Sequence, residues 1–272
     1  MNFFEKVLHF LEGTMETPKS YGWFHFMFIA IVISTTIFLC IKFRDCDDKT
    51  FRRIALIGWV TLITLEIYKQ LVFSFEYDGS VVSWDYQWYA FPYQFCSTPM
   101  YVLPFIAFMK ESKFRDMLIS YMATFSLFAG LAVFAYPNDV FISTIGINIQ
   151  TMVHHGMQVA FGIYFATYAR KKLNLQYFIK GIPVFAVLSL LAIILDISVY
   201  KAFVAHNIDE TFNMFYISPY FPCTLPVLSM VYEKVHYSIF LILYILGFTF
   251  VAYLVYNIEK LIINIVRKHY AK

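Results

Sequence analysis

The chain has few charged residues for its length. Only 14% of its 272 residues are Asp, Glu, Lys or Arg, whereas 60% are hydrophobic and 21% are aromatic, and the mean hydropathy is +0.63. A soluble domain of this size needs more polar surface, so the composition excludes that class and indicates an integral membrane protein. The formal net charge of +3 forms no basic patch in the sequence, so we expect no nucleic acid partner.

Cysteine is also scarce. The four cysteines, Cys40, Cys46, Cys96 and Cys223, lie far apart, without a CxxC pair or another zinc-ligand spacing. The spacing therefore predicts neither a disulfide framework nor a sulfur-ligated metal, and we expect no cofactor. A single disulfide between Cys96 and Cys223 stays open as an alternative.

The sequence shows no internal repeat, low-complexity tract or soluble domain, which predicts one membrane domain over residues 1–272. The first 16 residues mix acidic, basic and aromatic side chains, which is not the order of a removable signal peptide. We expect residues 1–20 to form an interfacial amphipathic segment.

Apolar segments near the membrane length of about 20 residues recur along the chain. There are seven, at residues 22–42, 53–75, 91–109, 116–136, 141–168, 179–200 and 235–258. We therefore predict an all-α membrane protein, a bundle of seven transmembrane helices. The join at 201–234 is rich in proline and tyrosine and is expected to form an outer cap.

Basic residues sort among the joins between these segments. They are Lys42, Arg44, Lys49, Arg52 and Arg53 in the first join, Lys110, Lys113 and Arg115 in the third, Arg170, Lys171, Lys172 and Lys180 in the fifth, and Lys260, Arg267, Lys268 and Lys272 after the last segment. The other joins hold Glu76, Asp78, Asp85 and Asp139 and almost no basic residue. The positive-inside rule then places the N-terminus outside and the C-terminus in the cytoplasm.

A polar stretch bracketed by prolines, Pro92–Pro99, opens the third segment and carries Cys96. Prolines free backbone donors, which a bilayer tolerates only where the backbone faces protein or a cavity. We interpret the stretch as the wall of a buried site with Cys96 as nucleophile; the alternative is an ordinary kinked helix with a small apolar cysteine. The candidate oxyanion donors beside it are the side chains of Gln94, Ser97 and Thr98, or a backbone N–H freed by Pro99.

A second polar stretch, in the fifth segment, can supply the base that a cysteine nucleophile requires. His154 and His155 are the candidate bases. At 100° per residue they share an arc of about 120° with Asn148, Thr151 and Gln158. The alternative for the histidines is hydrogen bonding between helices.

Intramembrane carboxylates complete the predicted site. Glu66 shares a helix face with Lys69 and Gln70, at i+3 and i+4, and can pair with both, either within the site or as a structural ion pair. Counted from the basic border of each helix, the depths below the outer boundary are roughly 9 Å for Cys96, 7 to 10 Å for the histidines, 10 Å for Glu66 and 6 Å for Asp196. We therefore expect one site in the outer half, where Glu66 or Asp196 orients a histidine.

Several motifs resemble those of the YwaF-type bacterial integral membrane proteins, which are similar to the eukaryotic transmembrane protein 164 family. The motifs are Pro92-x-x-x-Cys96, Tyr136-Pro137-Asn138-Asp139, His154-His155-Gly156, and Asn213 with Tyr216 and Pro219. The resemblance implies acyl transfer between membrane glycerophospholipids through Cys96 and His154 or His155, in a bacterial plasma membrane. Gln94 departs from the family, where histidine is common at this position, so the resemblance gives it no role as a base.

These observations lead to the hypothesis of a CoA-independent transacylase that forms an acyl-thioester on Cys96. A carrier of lipids or small solutes would need a similar polar cavity and is a first alternative. A metal-dependent seven-span lipid hydrolase is a second, with His154 or His155, Asp196 and His236 as ligands. A retinal pigment is disfavoured because residues 235–258 contain no lysine for a Schiff base.

Overall fold

Helices make up most of the fold in the computed structural model, which describes residues 2–137 and 140–270. The helices are α1 (Phe3–Leu11), α2 (Trp23–Phe43), α3 (Asp48–Val72), α4 (Pro99–Phe108), α5 (Lys113–Tyr121), α6 (Leu127–Ala135), α7 (Ile145–Tyr168), α8 (Leu175–His206), α9 (Leu228–Tyr232) and α10 (Tyr237–Tyr270). Asn138, Asp139 and Lys272 lie outside the described residues, as do the side chains of Arg267 and Lys268.

Within the described residues, five helical stretches are long and apolar enough to cross a membrane, which supports the multi-pass architecture. They are Trp23–Phe43, Asp48–Val72, Lys113–Ala135, Leu175–His206 and Tyr237–Val266. The third predicted span contains a shorter apolar helix, Phe95–Phe108. The fifth corresponds to α7, which has 24 residues, but its polar side chains lower its mean hydropathy. The count of seven spans and the orientation of the termini remain predictions.

A short hairpin departs from the predicted all-α fold. Strands β1 (Phe75–Tyr77) and β2 (Val82–Trp84) pair antiparallel across a turn at Asp78 and Gly79. Gly79 has a φ of +95°, and Asp78 Oδ1 accepts hydrogen bonds from the N–H groups of Ser80 and Val81, both at 2.8 Å. These bonds lower the pKa of Asp78. The Asp-Gly pair is a known hairpin signal that the sequence analysis did not use.

Two helices extend beyond their predicted spans. Residues 201–206, predicted to open the outer cap, continue α8, because no Gly or Pro interrupts them. The helix ends where Asn207 adopts a left-handed conformation, with a φ of 54°, as Asn often does at this position. The segment that joins α8 to α10 therefore covers residues 207–236, and we call it the cap. At the other end, α10 continues well past residue 258.

The bundle is organised around α7, which packs against α2, α3 and α6. It also packs against a fully buried π-helical turn, Met122–Ser126, that connects α5 to α6. Helices α6 and α7 approach closely at Gly130, where an added Cβ would lie 2.7 Å from the carbonyl oxygen of His155. The polar stripe of α7 therefore lies within the protein.

The first helix, α1, packs against α3. The hydroxyl of Tyr68 donates to the carbonyl oxygen of Leu11 at 2.8 Å, and Leu8 is buried, whereas Phe3 and Phe10 are exposed. The helix is thus amphipathic, as expected for residues 1–20, and its place at a membrane interface remains a prediction.

Candidate active site

Glu66 forms the charged centre of the predicted site. Its side chain is buried in α3, where Oε1 accepts from Lys69 Nζ at 3.0 Å and from Gln70 Nε2 at 2.8 Å. The predicted pairing of these three residues is therefore present. Oε2 accepts from Gln150 Nε2 of α7 at 3.4 Å, so the pair also joins two helices.

Gln70 extends this network to the loop before Cys96. Its Nε2 donates to the carbonyl oxygen of Ala90 at 2.9 Å, and its Oε1 accepts from the hydroxyl of Tyr86 at 2.8 Å. The chain between the hairpin and Cys96 is thus fixed to the face of α3 that carries Glu66.

Cys96 lies on a short 3₁₀ turn, Phe95–Ser97, immediately before α4. Thr98 Oγ1 donates to the carbonyl oxygen of Phe95 at 2.8 Å and accepts from the hydroxyl of Tyr121 at 2.7 Å. Pro99 occupies the first turn of α4, where its missing N–H costs no hydrogen bond. The thiol is half-buried with the Ser97 hydroxyl beside it. The prolines therefore accompany an unwound segment, as predicted.

Both histidines are buried and hydrogen-bonded to backbone carbonyls. His154 Nε2 lies 3.2 Å from the carbonyl oxygen of Leu62, and His155 Nδ1 lies 2.8 Å from that of Thr151. A carbonyl oxygen only accepts, so these ring nitrogens carry the proton. In the neutral rings, His154 Nδ1 and His155 Nε2 then hold the free lone pairs that a base requires.

The thiol, the histidines and the ion pair share one region of the bundle. The turn that carries Cys96 packs against α7, the helix of both histidines, and His154 contacts α3 at Leu62, one helical turn before Glu66. In residues 2–137 and 140–270, no hydrogen bond joins the thiol to either imidazole. Catalytic hydrogen bonds are often long or poorly aligned until a substrate binds.

Three predicted site residues lie instead at the cap. Asp196 Oδ1 accepts from the N–H of Met214 at 2.7 Å, so it holds the cap rather than a histidine. Gln94 Nε2 donates to the carbonyl oxygen of Asn213, and Gln94 Oε1 accepts from the N–H of Phe215, both at 3.0 Å. The side chain of Asn213 bonds only to the backbone of the cap itself, at Ser218 N and Pro222 O.

The residues of the polar stripe on α7 make different contacts. Asn148 bonds to the N–H and the carbonyl oxygen of Ile142 and tethers the start of the helix, whereas Thr151 binds His155 through its carbonyl. Gln158 is fully buried, and neither Oε1 nor Nε2 has a partner among the residues that the structure describes. Buried polar atoms are normally hydrogen-bonded, so Gln158 indicates a place for a water or a polar ligand group.

A cavity of about 350 Å³ opens at the same end of the molecule, between the loop before Cys96 and the cap. Its lining residues are Tyr89, Gln94, Thr211, Asn213, Tyr216, Phe221, Pro222 and Thr224. Gln94, two positions before Cys96 in the sequence, lies on its wall.

The family model described as TMEM164 family matches residues 20–256, a range that includes the thiol, both histidines and the cap. The chain belongs to the TMEM164 family. Comparisons with curated proteins and with solved structures found no match. The match confirms the resemblance seen in the motifs, and the YwaF-type description is compatible with it.

In this TMEM164-family chain, the sequence analysis missed Gln150 and Tyr86. Gln150 lies one helical turn before His154, but it falls outside the arc of about 120° that defined the stripe. Tyr86 lies in the second join, where no periodic pattern marks which side chains reach the bundle. Both residues belong to the site through contacts with residues distant in the sequence, and one sequence does not reveal such contacts.

The structure bears on two alternatives from the sequence, the disulfide between Cys96 and Cys223 and the metal-dependent hydrolase. All four cysteines are free, so the alternative disulfide between Cys96 and Cys223 is not formed. Over the described ranges, no group of three or more His, Cys, Asp or Glu side chains could hold a metal ion. Asp196 and His236 bond to cap and local backbone groups, so the ligand set of the metal-dependent hydrolase is not brought together.

Proposed function

We propose that the chain is a membrane-embedded acyltransferase that moves acyl chains between glycerophospholipids through Cys96. The observation that supports it best is the contact between the turn that carries Cys96 and α7, the helix that carries both candidate bases. Nucleophilic catalysis by cysteine requires a base near the thiol.

The first half of the reaction forms a thioester. His154 Nδ1 or His155 Nε2 takes the thiol proton, and the thiolate attacks the ester carbonyl of the donor lipid. The carbon–oxygen ester bond breaks, and the imidazolium returns the proton to the departing lysolipid oxygen. In the second half, the same imidazole takes the proton of an acceptor hydroxyl, which attacks the thioester. The carbon–sulfur bond then breaks and the proton returns to sulfur.

An oxyanion donor is needed in both halves. Of the three side-chain candidates, Gln94 is engaged with the cap and the Thr98 hydroxyl with Phe95 and Tyr121. The Ser97 hydroxyl beside the thiol is therefore the donor that we propose. The unpartnered amide of Gln158 is a further donor on α7.

The donor lipid is proposed to come from the outer leaflet of a bacterial plasma membrane. With the basic joins in the cytoplasm, Cys96 faces outward, separated from cytoplasmic acyl-CoA by roughly 20 Å of hydrocarbon. A phospholipid reaches the same depth by lateral diffusion, and its head group can occupy the cavity under the cap. The reaction is therefore CoA-independent in this proposal.

The test is acyl transfer in proteoliposomes that contain a labelled phospholipid and an unlabelled lysophospholipid. We expect transfer with the wild type, background transfer with Cys96→Ser and Cys96→Ala, and wild-type transfer with the matched control Cys40→Ser. A thioester on Cys96 should be trapped by mass spectrometry after incubation with phospholipid alone. Equal transfer by Cys96→Ala would contradict the proposal and favour a carrier, and labelling by acyl-CoA alone would contradict the outward donor.

A further inference from the structure

The last helix carries a carboxylate that the proposed reaction does not use. Glu259 is only 7% exposed, and neither of its carboxylate oxygens has a hydrogen-bond partner in the described part of the chain. Glu66, the other buried glutamate, is matched by Lys69, Gln70 and Gln150. A buried charge needs a partner to offset the loss of water, so Glu259 indicates a missing ligand group.

Glu259 lies on the wall of a second cavity, of about 250 Å³, between α6, α7 and α10. Leu131, Ile163, Val255 and Ile262 are among the apolar residues that line it. Thr167 is the other polar side chain on the wall, and its hydroxyl already donates to the carbonyl oxygen of Ile163 at 2.8 Å. The cavity is therefore an apolar groove with one unpartnered acidic group.

The groove opens sideways, toward the lipid. Leu131, Ile258 and Ile262 are 40%, 57% and 54% exposed, and they lie on helices long and apolar enough to span a membrane. In a bilayer these side chains face acyl chains, so a lipid can enter the groove without crossing the bundle. The occupant that fits is thus a membrane amphiphile rather than a soluble solute.

The described side chains supply no cation to Glu259. The next residue, Lys260, places its ammonium group over the ring of Tyr256, 5.7 Å from the centroid, and no ion pair to Glu259 occurs among the described side chains. Arg170, one helical turn beyond Thr167, pairs with Asp45 and bonds to the Thr167 carbonyl oxygen at 3.1 Å. A cationic head group of a ligand would supply the hydrogen-bond donors that Glu259 lacks among the described residues.

We propose that the groove binds a phospholipid with an ethanolamine head group. Its primary ammonium donates hydrogen bonds to Glu259, and one acyl chain lies along the apolar wall. A choline head group has no N–H to donate and would leave both oxygens unpartnered. Along α7, Thr167 is roughly 18 Å from His155, so this site is separate from the thiol.

The proposal is tested by native mass spectrometry of the full chain in detergent, with phosphatidylethanolamine or phosphatidylcholine of the same acyl chains added. We expect the wild type to retain the ethanolamine lipid at least about tenfold better than the choline lipid. This is the effect expected of one charge-assisted hydrogen bond. Glu259→Gln should lower this retention to the level of the choline lipid. The matched control Glu210→Gln, at an exposed glutamate of the cap, should retain the preference.

A second variant tests whether lipid retention depends on the groove itself. Leu131→Trp fills the wall from its exposed side while Glu259 is unchanged, and we expect it to reduce retention of the ethanolamine lipid as well. An N-acetylated ethanolamine lipid, which lacks the positive charge, should bind no better than the choline lipid. Equal retention of both lipids by the wild type, or an unchanged preference in Glu259→Gln, would overturn the proposal.

Discussion

At the scale of single residues, the buried pair of Glu66 and Lys69 connects stability to the site. The two charges lie 3.0 Å apart on α3, and both side chains are largely buried. Such a pair adds little stability by itself, but the loss of one partner leaves an uncompensated charge in the bundle. A positive charge near a cysteine favours its thiolate, so the loss of Lys69 should also change the reactivity of Cys96.

We therefore expect Lys69→Met to destabilise the protein by about 3 kcal/mol and to slow alkylation of Cys96. The double variant Glu66→Gln with Lys69→Met removes both charges and should recover most of the stability. Thermal unfolding in detergent measures the first effect, and the rate of labelling by a small membrane-permeant maleimide measures the second. Unchanged stability in the single variant would show that the pair is not buried as described.

At the scale of elements, the contact between α6 and α7 positions the histidine helix. Gly130 lets the two backbones approach, since an added Cβ would lie 2.7 Å from the carbonyl oxygen of His155 and 2.8 Å from Gln158 Cβ. Gly247 on α10 has no atom within 4 Å of such a Cβ, so it offers a matched comparison.

Gly130→Ala is expected to lower the free energy of unfolding by about 1 to 3 kcal/mol, because the backbone oxygen cannot rotate away. Gly247→Ala should be neutral or raise stability by up to about 1 kcal/mol, since alanine is the better helix former. Thermal unfolding of both variants in one detergent tests the difference. If the two variants unfold alike, α6 and α7 are not in the described contact.

At the scale of the whole molecule, the orientation in the membrane is still to be measured. The hairpin and the cap lie at one end, and the basic joins lie at the other, so residues 80 and 171 serve as exposed reporters of the two ends. Intact cells that express Ser80→Cys should react with a membrane-impermeant maleimide, whereas Lys171→Cys should react only after permeabilisation. The parent chain corrects for native cysteines. The reverse pattern would move the site to the cytoplasmic half.

Much of this molecule could be predicted from the sequence, because local spacing determines it. The i+3 and i+4 positions of Lys69 and Gln70 predicted their bonds to Glu66, and the prolines around Cys96 predicted an unwound turn. The conformation of the cap could not be predicted, because an irregular segment has no periodic pattern of apolar residues from which its contacts can be inferred. Gln94 and Asp196 are the right residue types at a suitable depth, but their partners are backbone groups of that segment.

The short apolar helix Phe95–Phe108 is roughly 20 Å long, whereas the hydrocarbon core of a bilayer is about 30 Å thick. A membrane meets such a hydrophobic mismatch by thinning beside the short element. The turn that carries Cys96, Phe95–Ser97, forms the first residues of this short stretch, so a thinned leaflet would lie beside the thiol. Under the proposed function, this thinning would bring the ester groups of neighbouring lipids closer to Cys96 before they enter the protein.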